Sequence, residues 1–138
     1  SESSGEFTAQ DGRDGGTVRI VHVAGESLSV EDIEVAIDAT AACGERERLI
    51  NLPEKGTSGR YADENVASGS IDSSIVDGGF GADLGVFDSR TSDTFDAGSY
   101  FEFRLTGEAC PLSQGDQLTV RVVHTPTETV TIEKTLTA

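Results

Sequence analysis

Four stretches of this chain alternate apolar and polar residues with a period of two, and that pattern restricts the fold more than any other property of the sequence. In Asp32–Asp38 (DIEVAID), Ile33, Val35 and Ile37 fall on one side and Asp32, Glu34, Ala36 and Asp38 on the other. Tyr100–Leu105 sets Phe101, Phe103 and Leu105 against Glu102 and Arg104. Gln117–His124 aligns Leu118, Val120 and Val122, and Thr129–Thr137 aligns Val130, Ile132 and Leu136. Successive side chains of an extended backbone point to opposite faces, so each stretch reads as a half-buried strand. Thr17–Val23 (TVRIVHV) is rich in β-branched residues and reads as a strand as well. Arg48–Leu52 is a shorter candidate, stopped by Pro53, and Thr125–Glu128 suits a hairpin turn. Lys134 falls on the inward parity of its stretch, which places that strand at a sheet edge.

Six to eight short strands without an amphipathic helix predict an all-β, antiparallel β-sandwich, with immunoglobulin-like topology as the favoured connection and a small closed barrel as the alternative. At 138 residues the chain holds one core. Residues 1–16 are polar and glycine-rich and read as an N-terminal linker or stalk, with a short strand around Phe7–Gln10; residues 17–138 form the sandwich domain. Within it, residues 54–98 change texture to Ser, Gly and Asp. So long an irregular excursion is unusual in a compact domain, and short strands are expected at Ser70–Val76 and Leu84–Phe87. Thr17–His22 (TVRIVH) is echoed by Thr119–His124 (TVRVVH), read as two similar strands near each other.

Charge narrows the partners. There are 25 Asp and Glu against 10 Lys and Arg, a net charge of -15, and only Lys55 and Lys134 among the cations are lysines. Nucleic acid and anionic membrane surfaces are recognised through clustered Lys and Arg, so neither is expected as a partner. No apolar run approaches the roughly 20 residues that span a bilayer. An acidic, lysine-poor surface on a foldable domain fits work in concentrated salt, where a Debye length of about 3 Å screens self-repulsion.

Cys43 and Cys110 each follow a predicted strand, where a bridge can join two sheets or pin a loop. In an oxidising compartment such a pair forms a disulfide; two free thiols in a reducing compartment are the competing reading. His22 and His124 occupy matching places in the echoed strands, a pair that on adjacent strands can hold a transition metal, though strand-end histidines are more often simply hydrogen-bonded. Calcium is the stronger metal candidate. Gly78–Asp83 (GGFGAD) matches the start of the G-G-x-G-x-D calcium repeat, in one copy and with Gly85 where a large apolar residue belongs; Asp77 and Asp83 are its candidate ligands. Asp11–Gly15 has carboxylates near glycines without EF-hand spacing. No cofactor is expected beyond calcium or another hard cation. No nucleophile elbow, zinc motif, phosphate loop or dinucleotide fingerprint is found, and a sugar groove lacks its aromatic platforms, since Trp is absent and Tyr61 and Tyr100 are the only tyrosines. No catalytic residue is assigned, and the chain is not expected to be an enzyme.

Thr17–Val23 with the acidic alternating strand after it, Ala41–Gly44 (AACG), Leu49–Pro53 (LINLP) and Gly115–Pro126 (GDQLTVRVVHTP) together resemble the soluble domain of haloarchaeal type IV pilin-like proteins, relatives of archaeal pilins and archaellins. The resemblance covers most of 17–53 and 98–138 and leaves the excursion aside. It implies an archaeal, halophilic, extracellular cell-surface subunit that self-associates in a filament through an N-terminal hydrophobic helix, a segment not among these residues. Its β-domain would face outward, with a structural or adhesive role toward a surface or cell-envelope partner. Asn51 and Asn65 are not followed by Ser or Thr at the second position, so N-glycosylation is not expected. A calcium-dependent or carbohydrate-binding extracellular module is the second reading.

Overall fold

A computed structural model describes residues 2–8, 14–57, 59–78, 84–91, 93–107 and 109–137, and the side chains from residue 16 onward. In chain order the elements are β1 (Glu2–Thr8), β2 (Asp14–Ala24), β3 (Leu28–Ser29), β4 (Ile33–Ala39), a one-turn helix α1 (Thr40–Cys43), β5 (Glu45–Leu49), β6 (Val76–Asp77), β7 (Thr94–Phe95), β8 (Tyr100–Thr106), β9 (Gln117–His124) and β10 (Thr129–Thr137). They form two four-stranded antiparallel sheets, ordered β1-β2-β8-β6 and β10-β9-β4-β5, and a two-stranded ribbon β3-β7.

The alternating stretches build the two inner faces. Val18, Ile20, Phe101, Phe103 and Leu105 from one sheet meet Ile33, Val35, Ile37, Leu118, Val120 and Val122 from the other, all buried in one apolar cluster. The chain is an antiparallel β-sandwich. Without tryptophan, the core is built around phenylalanines. Phe101 stacks on Phe87 with ring centroids 4.5 Å apart and takes the edge of Phe95 at 5.5 Å. Such contacts add about 0.5–1.5 kcal/mol each beyond the area they bury.

The echoed sequences are not neighbours. TVRIVH lies in β2 and TVRVVH in β9, on opposite sheets, each flanked by a strand on both sides. They resemble one another because they answer the same demand. Val18 and Ile20, like Val120 and Val122, face the core, while each arginine faces outward and pairs with a glutamate directly across on the next strand. Arg19 binds Glu102 at 2.8 Å, and Arg121 binds Glu133 at 2.6 Å.

Several boundaries differ from expectation. Residues Glu2–Thr8, inside the stretch read as linker, pair with β2 as strand β1. The strand expected at Arg48–Leu52 runs instead from Glu45 to Leu49, because Asn51 takes a left-handed backbone conformation (φ 53°) and ends the extended run. Of the expected Ser70–Val76 strand only Val76 joins a sheet, as the first residue of β6; Ile71–Ser73 is a 3-10 turn whose first amide donates to Asp63 Oδ1. Leu84–Phe87 reduces to a bridge between Gly85 and Phe101 followed by a turn. Gly85 has φ 63° and lies so close to the Tyr100 carbonyl that a Cβ would collide with it, so glycine is required there. In β10, a register shift between Val130 and Ile132 breaks the alternation. Val130 is therefore 49% exposed while Ile132 and Leu136 stay inside. The edge position expected from Lys134 holds: β10 ends its sheet.

Candidate functional site

The outer face of the β10-β9-β4-β5 sheet carries a cleft of about 490 Å³, and its origin can be read residue by residue. The outward positions of β4 are Glu34, Ala36 and Asp38. Ala36 sits opposite Arg48 on β5 and Arg121 on β9, so the smallest side chain of the row lies between two of the longest. Arg46, opposite Asp38, closes one end. Ala67 and Ser68 form a wall beyond β5. The floor is therefore apolar, made by alanines and arginine stems, and the rim carries three arginines together with the carboxylate of Asp38.

Each arginine is held by one carboxylate: Arg46 by Asp38 at 3.8 Å, Arg48 by Glu34 at 3.3 Å, and Arg121 by Glu133 at 2.6 Å. These contacts are solvent-exposed and contribute little stability individually. Asp38 also accepts hydrogen bonds from the Thr40 hydroxyl and amide, which, with Arg46, hold its carboxyl below the usual aspartate range.

The wall is fixed by a buried glutamate. Glu47 Oε2 accepts the Ser68 hydroxyl at 2.6 Å and the Ser74 hydroxyl at 2.7 Å, while Oε1 accepts the amides of Arg48 and Ser68. Burial pushes the Glu47 carboxyl up, but these donors outweigh it, and its pKa lies below the ordinary glutamate value. A group with a depressed folded-state pKa contributes stability above its unfolded pKa and loses that contribution as pH falls through the folded value. The wild type should thus lose stability below about pH 4.3, the ordinary glutamate value. In Glu47→Gln that part of the pH dependence should disappear, at a cost near neutrality of about 1–3 kcal/mol. Urea midpoints measured from pH 7 to pH 3 at constant salt check this; parallel curves for the two proteins would refute it.

The rest of the excursion is tied down by two further polar nodes. Asn65, fully buried, accepts the amides of Lys55 and Ala62 through Oδ1 and donates through Nδ2 to the carbonyls of Ile50, Asn51 and Pro53. Its own carbonyl receives the Ile50 amide, and the Ala67 amide donates to Arg48, so residues 65–67 run along the outer edge of β5. Glu54, also buried, accepts the Ser89 hydroxyl at 2.8 Å, next to a bidentate pair between Arg90 and the buried Asp88.

No family model, curated protein or solved structure matches this chain. The site is therefore read from its own geometry.

Cys43 and Cys110 form a disulfide, with Cα atoms 5.2 Å apart. It joins α1, which follows β4 in one sheet, to the turn after β8 in the other. The two histidines are not brought together. His22 is buried in β2, where Nδ1 donates to the Phe95 carbonyl at 3.2 Å and the ring lies against Phe95. His124 is on β9 in the opposite sheet, and its Nδ1 bonds the Thr127 hydroxyl within the hairpin turn. A transition-metal site across adjacent strands is thus ruled out for this pair. Of the calcium candidates, Asp77 is half-buried in β6 opposite Arg104. Asp83 and residues 79–82 of the glycine motif lie outside the described residues, as do Asp11 and Gly12 of the other one. Among the described residues no three His, Cys, Asp or Glu side chains gather as a metal site.

The sequence reading missed the cleft. Arg46, Arg48 and Arg121 come from three separate positions on two strands, and only the register sets them around Ala36. The signal available in the sequence was Ala36 itself, the one small residue on the polar face of an otherwise acidic strand.

Proposed function

We propose that this domain is the outward-facing, non-catalytic β-sandwich of an extracellular, halophilic surface or filament subunit of the type IV pilin-like kind, with a structural or adhesive role. The observation that carries this reading is a net charge of -15 on a sandwich whose two sheets are joined by a disulfide. The bridge suits an oxidising, extracellular environment. The acidic surface suits concentrated salt, where short-range solvation matters and long-range repulsion is screened.

The strand orders support the immunoglobulin-like reading of the fold. With β1, β2, β4, β5, β6, β8, β9 and β10 lettered A, B, C, C′, D, E, F and G, one sheet runs A-B-E-D and the other G-F-C-C′. The echoed strands are then B and F, one interior strand from each sheet. Sandwiches of this order serve widely as rigid carriers of binding loops, so the fold supports a display role without defining a ligand. The loops of residues 54–98 are the proposed contact surface toward a cell-envelope partner, with the nodes at Asn65 and Glu47 holding part of them rigid.

Immunogold electron microscopy of source cells, with antibody against this domain, tests the reading. Gold along regular filaments is the expected result. Gold scattered over the envelope or confined to the medium would overturn the filament role and favour a secreted calcium-dependent or carbohydrate-binding module.

A further inference from the structure

Glu54 sits in a buried polar node that leaves one of its oxygens without a donor. The residue is 5% exposed. Its Oε1 takes the Ser89 hydroxyl at 2.8 Å and the Ser89 amide at 3.4 Å, whereas Oε2 is buried and receives no hydrogen bond among the described residues. The donors nearby are committed elsewhere. Arg90 gives Nε and Nη2 to the two oxygens of Asp88, itself buried. Tyr61, whose phenol is pushed up by burial and then by the charges of Glu102 and Glu54, gives its hydroxyl to the Glu102 carbonyl. A buried carboxylate oxygen with no partner is costly, and folded proteins meet such groups with a donor, a water or an ion. We propose that Glu54 Oε2 is a ligand of a bound monovalent hard cation, sodium or potassium, that fastens residue 54 to the turn at 84–91.

Charge and ligand count select the ion. Glu54 and Asp88 are negative and Arg90 is positive, so the node is left with one negative charge for a cation to offset. Calcium takes roughly six to eight oxygens, several of them from carboxylates, and here both Asp88 oxygens are already engaged by Arg90. The other ligands are neutral. The Ser89 hydroxyl, bonded to Glu54, and the Phe87 carbonyl, which accepts the Glu54 amide at 2.7 Å, each keep a lone pair. Ser89 and Arg90 are exposed, so an ion can reach the node from that side. The site shares no residue with the calcium candidates Asp77 and Asp83. Glu54 opens the excursion and residues 84–91 lie toward its end, so a bound ion ties one arm to the other. Salt then orders these loops through a specific site as well as by screening the net charge of -15. The inference does not rest on the filament reading and is tested apart from it.

Urea unfolding with sodium or potassium chloride raised from about 0.1 to 1 M, choline chloride keeping the ionic strength constant, tests it. Choline screens charge but is too large to enter the node. Near saturation, one site lowers the unfolding constant about tenfold for each tenfold rise in free cation. That dependence is expected in the wild type and in Glu64→Gln, which removes an exposed carboxylate of the same excursion, and should be lost in Glu54→Gln. A dependence shared equally by all three proteins overturns the proposal. So does a wild type indifferent to the exchange of choline for sodium and potassium, which would leave Oε2 to a water. The amide NMR signals of Glu54, Ser89 and Arg90 give a readout that needs no variant. Saturable shifts with sodium or potassium, absent with choline, are expected; shifts that never saturate, or that appear only with calcium, refute the monovalent site.

Discussion

Replacing Cys43 and Cys110 together by alanine should cost about 4 kcal/mol of unfolding free energy, because the bridge closes a loop of 67 residues and removes that loop's freedom from the unfolded chain. The loop contains β5 to β8 and, between β5 and β7, the irregular excursion, which carries few strand hydrogen bonds of its own. Cys110 is fully buried, so alanine, without a hydroxyl, keeps the comparison free of a new unsatisfied group. For a domain of this size the change corresponds to a fall in melting temperature of about 14 °C. Denaturation of wild type and variant in urea at one fixed salt concentration measures it. A difference under about 1 kcal/mol would mean that the excursion is held by its polar nodes and not by the bridge.

Asn65→Leu should be nearly as damaging, at about 3–5 kcal/mol, for a different reason. The side chain makes five hydrogen bonds within a fully buried site, and the amides of Lys55 and Ala62 both donate to its Oδ1 in the turn they close. Leucine fills a similar volume but leaves those groups unsatisfied, at about 1–3 kcal/mol for each buried one. Since residues 65–67 run along β5, amide exchange at Ile50 and Ala67 should rise more than exchange in β9. If urea denaturation shows less than about 1 kcal/mol of loss, or if exchange rises uniformly, the local role assigned to Asn65 is wrong.

What the sequence disclosed about the fold follows from how these residues hold their places. Ile33, Val35 and Ile37 are read from their spacing because β4 is interior and its inner face meets nothing but core. Val130 was misread because a bulge shifts parity without leaving a mark in composition. Asn65 was invisible because its importance lies in five partners spread from residue 50 to residue 62, none of which sets up a period. The disulfide was legible from the count of two cysteines; the cleft was not, since register alone gathers its arginines.

The sheet margins carry a consequence for assembly. β6 is only two residues long, and β5 is already bordered by residues 65–67. β10 is bulged, carries Lys134, and lies alongside β1 at the seam between the sheets. Among the described residues neither the β5 nor the β6 margin offers a long, straight row of vacant amides and carbonyls, so a donated strand finds no template there. A molecule that docks at those two margins meets side chains there, and such a contact can be retuned by substitution without disturbing the backbone ladders that hold the domain together.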